Sequence, residues 1–171
     1  MVVPLFNACF SGNLNLVKYL VEHGLNINKE ASNGCTLLFN ACSSGNLELV
    51  KYLVEHGLDI NNESDDGNTP LYIACEKEHA IIVKYLIEHG TDVNKENNNG
   101  FTPLFKACSS GNLDLVKYLV EHGAIINKEN DNGCTPLFNA CQEGHITIVK
   151  YLVEHGADIY KETNDRNTVL S

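Results

Sequence analysis

Asn99-Gly100-Phe101-Thr102-Pro103-Leu104-Phe105-Lys106-Ala107-Cys108-Ser109-Ser110-Gly111-Asn112-Leu113-Asp114-Leu115-Val116-Lys117-Tyr118-Leu119-Val120-Glu121-His122-Gly123 holds two short helices and the signals that start and stop each. Asn99-Gly100 marks a tight turn, because glycine tolerates positive φ and asparagine nearly does. Thr102 is placed to cap the first helix, and Pro103 sits in its first turn, where a missing N–H costs nothing. Leu104, Phe105, Ala107 and Cys108 form the apolar face, and the helix runs to about Ser110 before Gly111 breaks it. Asn112 opens a second helix, with Asp114 in the first turn where the helix dipole favours negative charge. Leu113, Val116, Leu119 and Val120 recur at helical spacing. His122 falls in the last turn and Gly123 closes it. Ala124 to Glu129 is expected to run extended to the next turn.

Outward from this stretch the pattern repeats. Gly34, Gly67, Gly100 and Gly133 are each 33 residues apart, as are the five His-Gly pairs that end with His155-Gly156. A fixed period of this length signals a solenoid of stacked units. One helix pair cannot bury both of its apolar faces alone, whereas a stack can. The repeats fall at about 1–30, 31–63, 64–96, 97–129 and 130–162, and 163–171 starts a sixth. The chain opens at Pro4-Leu5-Phe6, inside a repeat, and ends at Asn167-Thr168-Val169-Leu170-Ser171. Those ends read as an excerpt from, or a remnant of, a longer array.

The 171 residues include 43% hydrophobic and 20% charged side chains, a globular composition. The formal charge of −10 argues against nucleic acid and anionic membranes, both of which call for clustered Lys and Arg. No segment has the apolar length of a membrane span. The start, Met1-Val2-Val3-Pro4, lacks the regions of a signal peptide. An intracellular, cytoplasmic location is the default expectation.

The stretch Gly100-Phe101-Thr102-Pro103-Leu104-Phe105, with Gly156-Ala157-Asp158-Ile159 closing a later unit, resembles the ankyrin repeat. Five copies in register extend the resemblance over nearly the whole chain. It implies an all-α solenoid of antiparallel helix pairs with short β-hairpin fingers on one side. It also implies a family that binds proteins with its fingertips and first helices, without catalysis of its own. Phe6, Phe39, Tyr72, Phe105 and Phe138 stand where the family carries histidine, so aromatic packing must replace a polar link. Leu37 replaces the usual proline. Glu78 stands where Gly12, Gly45, Gly111 and Gly144 separate the helices. A left-handed residue there costs roughly 1 kcal/mol, so the third repeat is expected to deviate locally.

Three columns look like chemistry. The histidines before each closing glycine would be about 10 Å apart in adjacent helices, whereas zinc draws its ligands to about 2 Å of one centre. Histidine at a helix C-terminus is the simpler reading. Cys9, Cys42, Cys75, Cys108 and Cys141 each follow alanine and read as one buried packing position, too widely spaced for disulfides. Cys35 and Cys134 follow a turn glycine, so they are expected on the fingers and more exposed, the only candidates for a reactive thiol. The Ala-Cys column lies on first helices and the His-Gly column at the ends of second helices, which keeps a Cys–His catalytic pair apart. Tyr19, Tyr52, Tyr85, Tyr118 and Tyr151 read as half-buried packing on the outer face.

Candidate binding residues are those that vary where the framework does not. They are Ser32 and Asn33, Asp65 and Asp66, Asn98 and Asn99, and Asp131 and Asn132 before the turn glycines. After them come Cys35, Asn68, Phe101 and Cys134. Near the first-helix ends come Phe10, Ser43 and Ser44, Glu76, Ser109 and Ser110, and Gln142 and Glu143. The resemblance implies that these line a concave face. Phe101, as an exposed aromatic in a polar strip, is the preferred anchor. Asn28, Asn61, Asn94 and Asn127 match the asparagine that the family offers to an asparaginyl hydroxylase; Tyr160 does not. The expected function is a protein-interaction scaffold with a protein partner and no nucleic acid, membrane, small-molecule substrate, metal or cofactor. A structural spacer in a longer repeat protein and the targeting arm of an enzyme are the alternatives.

Overall fold

A computed structural model describes residues 3–165, 167 and 168. The chain divides into two compact units, Met1–Thr91 and Asp92–Ser171. The first holds α1 (Val3–Phe10), α2 (Leu14–Glu22), α3 (Leu37–Ser44), α4 (Leu47–Glu55), α5 (Pro70–Glu76) and α6 (Ala80–Glu88). The second holds α7 (Pro103–Ser110), α8 (Leu113–Glu121), α9 (Pro136–Gln142) and α10 (Ile146–Glu154). In the first unit each odd-numbered helix packs on its following partner, α1 on α3, α3 on α5, and α4 on α6. In the second, α7 packs on α8 and α9, and α10 on α8 and α9.

Local chemistry sets these boundaries. Asn13, Asn46 and Asn112 each accept the N–H three residues on, Leu16, Leu49 and Leu115, at 3.0 Å. That satisfies one of the donors a helix start leaves open. Each second helix ends on its histidine and a glycine of φ near +90°, and the chain bonds back across the last turn. In α2, Gly24 N–H donates to Val21 C=O at 2.9 Å and Leu25 N–H to Leu20 C=O at 3.1 Å. First helices end on glycine at positive φ, except in the third pair, where Glu78 has φ 60°. The strained residue expected from the sequence is therefore present, the one non-glycine residue at positive φ among those described.

In each unit the core is built of equivalent side chains from successive helix pairs. Leu37, Leu38, Ala41, Cys42, Leu49, Val50 and Leu53 are fully buried in the first unit, and Leu104, Phe105, Ala107, Cys108, Val116 and Leu119 in the second. Phe39, Tyr72 and Phe105 are buried as the packing substitutes foreseen for the family's histidine, while Phe6 and Phe138 are half-buried.

Several local expectations need correction. Leu115 is buried in α8, whereas Leu113 and Val120 are half-buried. Thr102 occupies the N-cap position of α7 but makes no capping bond with its side chain; Thr69 of α5 makes one, to Tyr72 N–H at 3.2 Å. The segment Ala124 to Glu129 contains a turn, with Lys128 N–H bonded to Ile125 C=O at 3.2 Å, and is not continuously extended. The projecting fingers carry no strand among the described residues. Each closes instead on two main-chain bonds to one residue, such as Ala31 N–H to Cys35 C=O at 2.9 Å with Gly34 N–H to Ala31 C=O at 3.1 Å, and Asn97 N–H to Phe101 C=O with Gly100 N–H to Asn97 C=O, both at 3.0 Å. Arms this short leave no room for a ladder. In the start of the sixth repeat Thr163 N–H bonds Asn167 C=O at 2.8 Å, while Val169, Leu170 and Ser171 lie outside the described residues, as do Met1 and Val2.

Candidate partner-binding surfaces

The finger turns are built from the main chain outward. In the first unit Asp65 N–H donates to Asn33 C=O at 2.9 Å, stacking the second finger on the first. In the second unit Asp131 N–H donates to Asn99 C=O at 3.1 Å and Asn164 N–H to Asn132 C=O at 2.9 Å. The stacking is close: a Cβ on Gly100 would sit 2.8 Å from Asn130 Cα, so side chains are excluded there whatever the backbone angle. Asn97 and Asn130 brace their turns from within. Asn97 Oδ1 accepts from Asn99 and Phe101 N–H, both at 3.0 Å, and Asn130 Oδ1 from Asn132 and Cys134 N–H, both at 3.0 Å. These two residues were not singled out from the sequence; their signal was an Asn two places before an Asn-Gly pair, the spacing of a side-chain-mimicked turn.

This frame sorts the candidate residues. The pairs before each turn glycine all project: Ser32, Asn33, Asp65 and Asp66 in the first unit, Asn98, Asn99, Asp131 and Asn132 in the second. Those after it, Cys35, Asn68, Phe101 and Cys134, are half-buried. Phe101 is thus not the exposed anchor expected; its ring packs edge-on against Phe105, with centroids 5.1 Å apart. Among the candidate residues Phe10 is the exposed aromatic, 65% exposed at the end of α1. Gln142 and Glu143 are exposed, and Ser43, Ser44, Glu76, Ser109 and Ser110 half-buried. The serines are also engaged. Ser44 Oγ donates to Ala41 C=O at 2.8 Å and Ser110 Oγ to Ala107 C=O at 3.0 Å. Ser109 Oγ donates to Phe105 C=O at 3.0 Å and accepts from Asn139 Nδ2 at 3.1 Å.

The histidine and cysteine columns have structural explanations. Nδ1 of His23, His56, His89, His122 and His155 lies 2.7 Å from the carbonyl of the tyrosine four residues before. The two rings of each pair lie together, centroids 3.9 to 4.1 Å apart. Tyr52, Tyr85, Tyr118 and Tyr151 are half-buried and Tyr19 exposed. Among the described residues no three His, Cys, Asp or Glu side chains converge on a common centre. Burial pushes the Cys9 thiol up to about 12 and raises Cys42, Cys75 and Cys108 as well. Cys141 is half-buried and also raised by burial, as are Cys35 and Cys134. For Cys35 a hydrogen bond from Asn33 works the other way, and the Asp65 and Asp66 carboxylates add to the rise. An activated thiol needs its thiolate stabilised, and these surroundings do the opposite.

Two further histidines do work the sequence reading passed over. His79 Nε2 lies 3.1 Å from Ser43 C=O in the first unit, and His145 Nε2 lies 3.0 Å from Ser109 C=O in the second. Asn46 plays the same part at its position, Nδ2 donating to Gly12 C=O at 2.7 Å. At Asn46, His79 and His145 the residue opening a second helix therefore also ties its pair to the one before. Asn94 and Asn127 tie pairs together at the opposite end of the second helices. Asn94 donates to Gly123 C=O and accepts from Ile125 N–H, both at 2.8 Å. Asn127 donates to Gly156 C=O and accepts from Asp158 N–H, both at 2.9 Å. Asn28 and Asn61 are exposed, their N–H groups bonded to Asn26 and Asp59 side chains at 2.8 Å.

A family model described as ankyrin repeats, three copies, matches residues 5–97 and again 82–163. The chain belongs to the ankyrin repeat family. The two overlapping matches cover the helix pairs of both units, so the ankyrin assignment rests on the same periodicity that positions the turns. Ankyrin repeats are in general protein-interaction modules and typically non-catalytic. No curated protein matches this chain. No described helix of this ankyrin array is long and apolar enough to cross a membrane.

Proposed function

We propose that this ankyrin array is a protein-interaction scaffold whose partner lies along the turn tips and the exposed first-helix ends of each unit. One observation carries the reading: the residues that differ from repeat to repeat before the turn glycines are the ones that project, while the N–H to C=O bonds that stack one tip on the next run between main-chain groups. The tip-to-tip bonds therefore survive a change of side chain at these positions, although Asn33 Oδ1 also accepts from Cys35 N–H at 3.3 Å. The acidic balance of the chain and the paired aspartates at 65 and 66 favour a partner with a basic surface, by raising its rate of encounter and disfavouring acidic competitors. Phe10 supplies exposed aromatic area of the type that anchors interfaces.

The test is crosslinked capture from the native cell, with two sets of variants of the full chain. Asp65→Lys with Asp66→Lys, and separately Phe10→Ala, should abolish or weaken capture of a saturable partner. Lys150→Glu, on the exposed side of α10, should leave it unchanged. Capture lost in Lys150→Glu and retained in the other two would move the site to the outer face and reject this assignment.

A further inference from the structure

We propose that the turn between α5 and α6 is a second docking point, shaped for a protein segment that presents an apolar side chain next to a lysine or arginine. The observation is a set of departures concentrated in one repeat of an otherwise near-identical series. At the second position of the second helix four repeats carry polar residues, Asn15, Glu48, Asp114 and Thr147. The third carries Ile81, which is 67% exposed. Three residues earlier the same repeat carries Glu78 at φ 60°, where the other four carry glycine. A left-handed glutamate persists only against a standing cost, and such costs concentrate where function requires the residue.

The geometry suits a side chain rather than a small molecule. Ile81 borders a shallow open depression of about 310 Å³ whose walls include Gly45, Glu78, His79 and Ala80. The floor is firm because the His79 ring lies against Gly45; a Cβ there would approach ring Cε1 to 2.7 Å. Gly45 also borders a neighbouring depression of about 440 Å³ whose rim carries Glu48. Hollows this shallow and open leave most of a free ligand in water, whereas ligand pockets enclose theirs, but they can take one anchor residue from a protein surface. The charge at the rim selects what flanks that anchor. Lys51 pairs with Glu48 at 2.9 Å and Lys77 lies 3.6 Å from Glu76. Among the described residues Glu78 has no ion-pair partner. An unpaired carboxylate beside an exposed isoleucine matches an apolar residue followed or preceded by a cation.

This surface lies at the turns between paired helices, apart from the finger tips, so either can fail without the other. The experiment is selection of a displayed library of random linear peptides on the full chain, with counter-selection on Ile81→Asn, which installs the residue α2 already carries as Asn15. Circular dichroism checks that the variant folds. The expected winners pair Leu, Ile, Met or Phe with Lys or Arg, bind about tenfold more weakly to Ile81→Asn, in keeping with loss of one anchor, and weaken on Glu78→Gln. They should also shift the amide resonances of Gly45 and His79. Winners that depend on Asp65 and Asp66 but ignore Ile81 would support the scaffold reading and overturn this one. Acidic or uncharged Ile81-dependent winners would overturn the stated partner chemistry, and a selection that yields no Ile81-dependent binder would overturn the site.

Discussion

Alanine at Gly111 and alanine at Gly144 should differ in cost, for a reason visible in the second unit alone. Both glycines follow a first helix and have positive φ, 83° and 74°. A Cβ on either places an L residue in the left-handed region, at about 1–2 kcal/mol. Part of that is offset by about 0.4–1 kcal/mol, because alanine restricts the unfolded chain. Gly144→Ala meets nothing else within 4 Å, so its net cost is about 1 kcal/mol or less. Gly111→Ala also drives Cβ to 2.7 Å from Cε1 and 3.0 Å from Nδ1 of His145. The ring must move, and moving it breaks the 3.0 Å contact with Ser109 C=O, a further loss of about 0.5–1.5 kcal/mol. Urea unfolding followed by far-ultraviolet circular dichroism should therefore place Gly111→Ala about 1 kcal/mol below Gly144→Ala at unchanged m. In a His145→Ala background the excess cost of Gly111→Ala should vanish, since the cycle removes the clashing partner. Equal costs for the two alanines, or an excess that survives without His145, would refute the assignment of His145 as a tie between helix pairs.

The other expectations follow from single contacts. Glu78→Gly should raise stability by about 0.5–1 kcal/mol, the relief of strain less glycine's entropic cost, read as a higher urea midpoint; an unchanged or lower midpoint would show that Glu78 is not strained in solution. Asn127→Ala loses both 2.9 Å bonds to the following pair and should cost about 1–2 kcal/mol, moderated by exposure, whereas Asn28→Ala should be nearly neutral by the same measurement. Native-state alkylation followed by peptide mass spectrometry should modify Cys35, Cys134 and Cys141 before Cys9, Cys42, Cys75 and Cys108, with every rate rising as pH rises, since all seven thiols are shifted upward. The same shifts set alkaline stability. A thiol with an ordinary value of 9.0 that is raised to about 12 when folded, as at Cys9, keeps its proton in the native state after the unfolded chain has lost it. The unfolded state then binds fewer protons, so stability is intact below about pH 9 and falls from there toward pH 12. A urea midpoint flat across that window would contradict the buried placement of these thiols.

The features that were legible in the sequence are those fixed within one repeat. Asn112 as a cap, Gly111 as a stop, His122 at the helix end and the strain at Glu78 depend on neighbours a few residues away, and spacing exposes them. What the sequence concealed depends on the next repeat. Leu115 and Leu113 are equally apolar, and only stacking decides that the first is buried and the second half-buried. Phe101 follows a turn glycine like Cys35, but Phe105 lies beneath it and takes its edge. The serines near the first-helix ends read as variable surface, yet Ser44 and Ser110 bond back to carbonyls three residues earlier. His79 and His145 differ from Asn46 in type while serving the same inter-pair tie, an equivalence that appears only when the preceding carbonyl is in view. The fingers carry no strand among the described residues because their arms pair at a single residue, such as Ala31 with Cys35, a matter of arm length that composition does not reveal.

These placements bear on how a repeat array can acquire a partner. The finger stack is held by N–H and C=O groups of Asn33, Asp65, Asn99 and Asp131, so the bond that stacks one tip on the next does not depend on which side chain the tip carries, while Asn97 and Asn130 brace the turns from below. A substitution there alters the outward face at little cost to folding. The first-helix ends are less free, because Ser109 contributes both its hydroxyl and its carbonyl to the frame, and exchanging it loses the Asn139 bond. Specificity should therefore concentrate at the finger tips and at sites such as Phe10 and Gln142 that no neighbour engages strongly. The third repeat is the instructive departure. Ile81 and Glu78 each lower the expected fitness of the fold, one by exposing apolar surface and the other by backbone strain. Glu78 at positive φ where the other four repeats carry glycine, and Ile81 where they carry polar residues, fall three residues apart, the pattern that selection for contact with another molecule would leave behind.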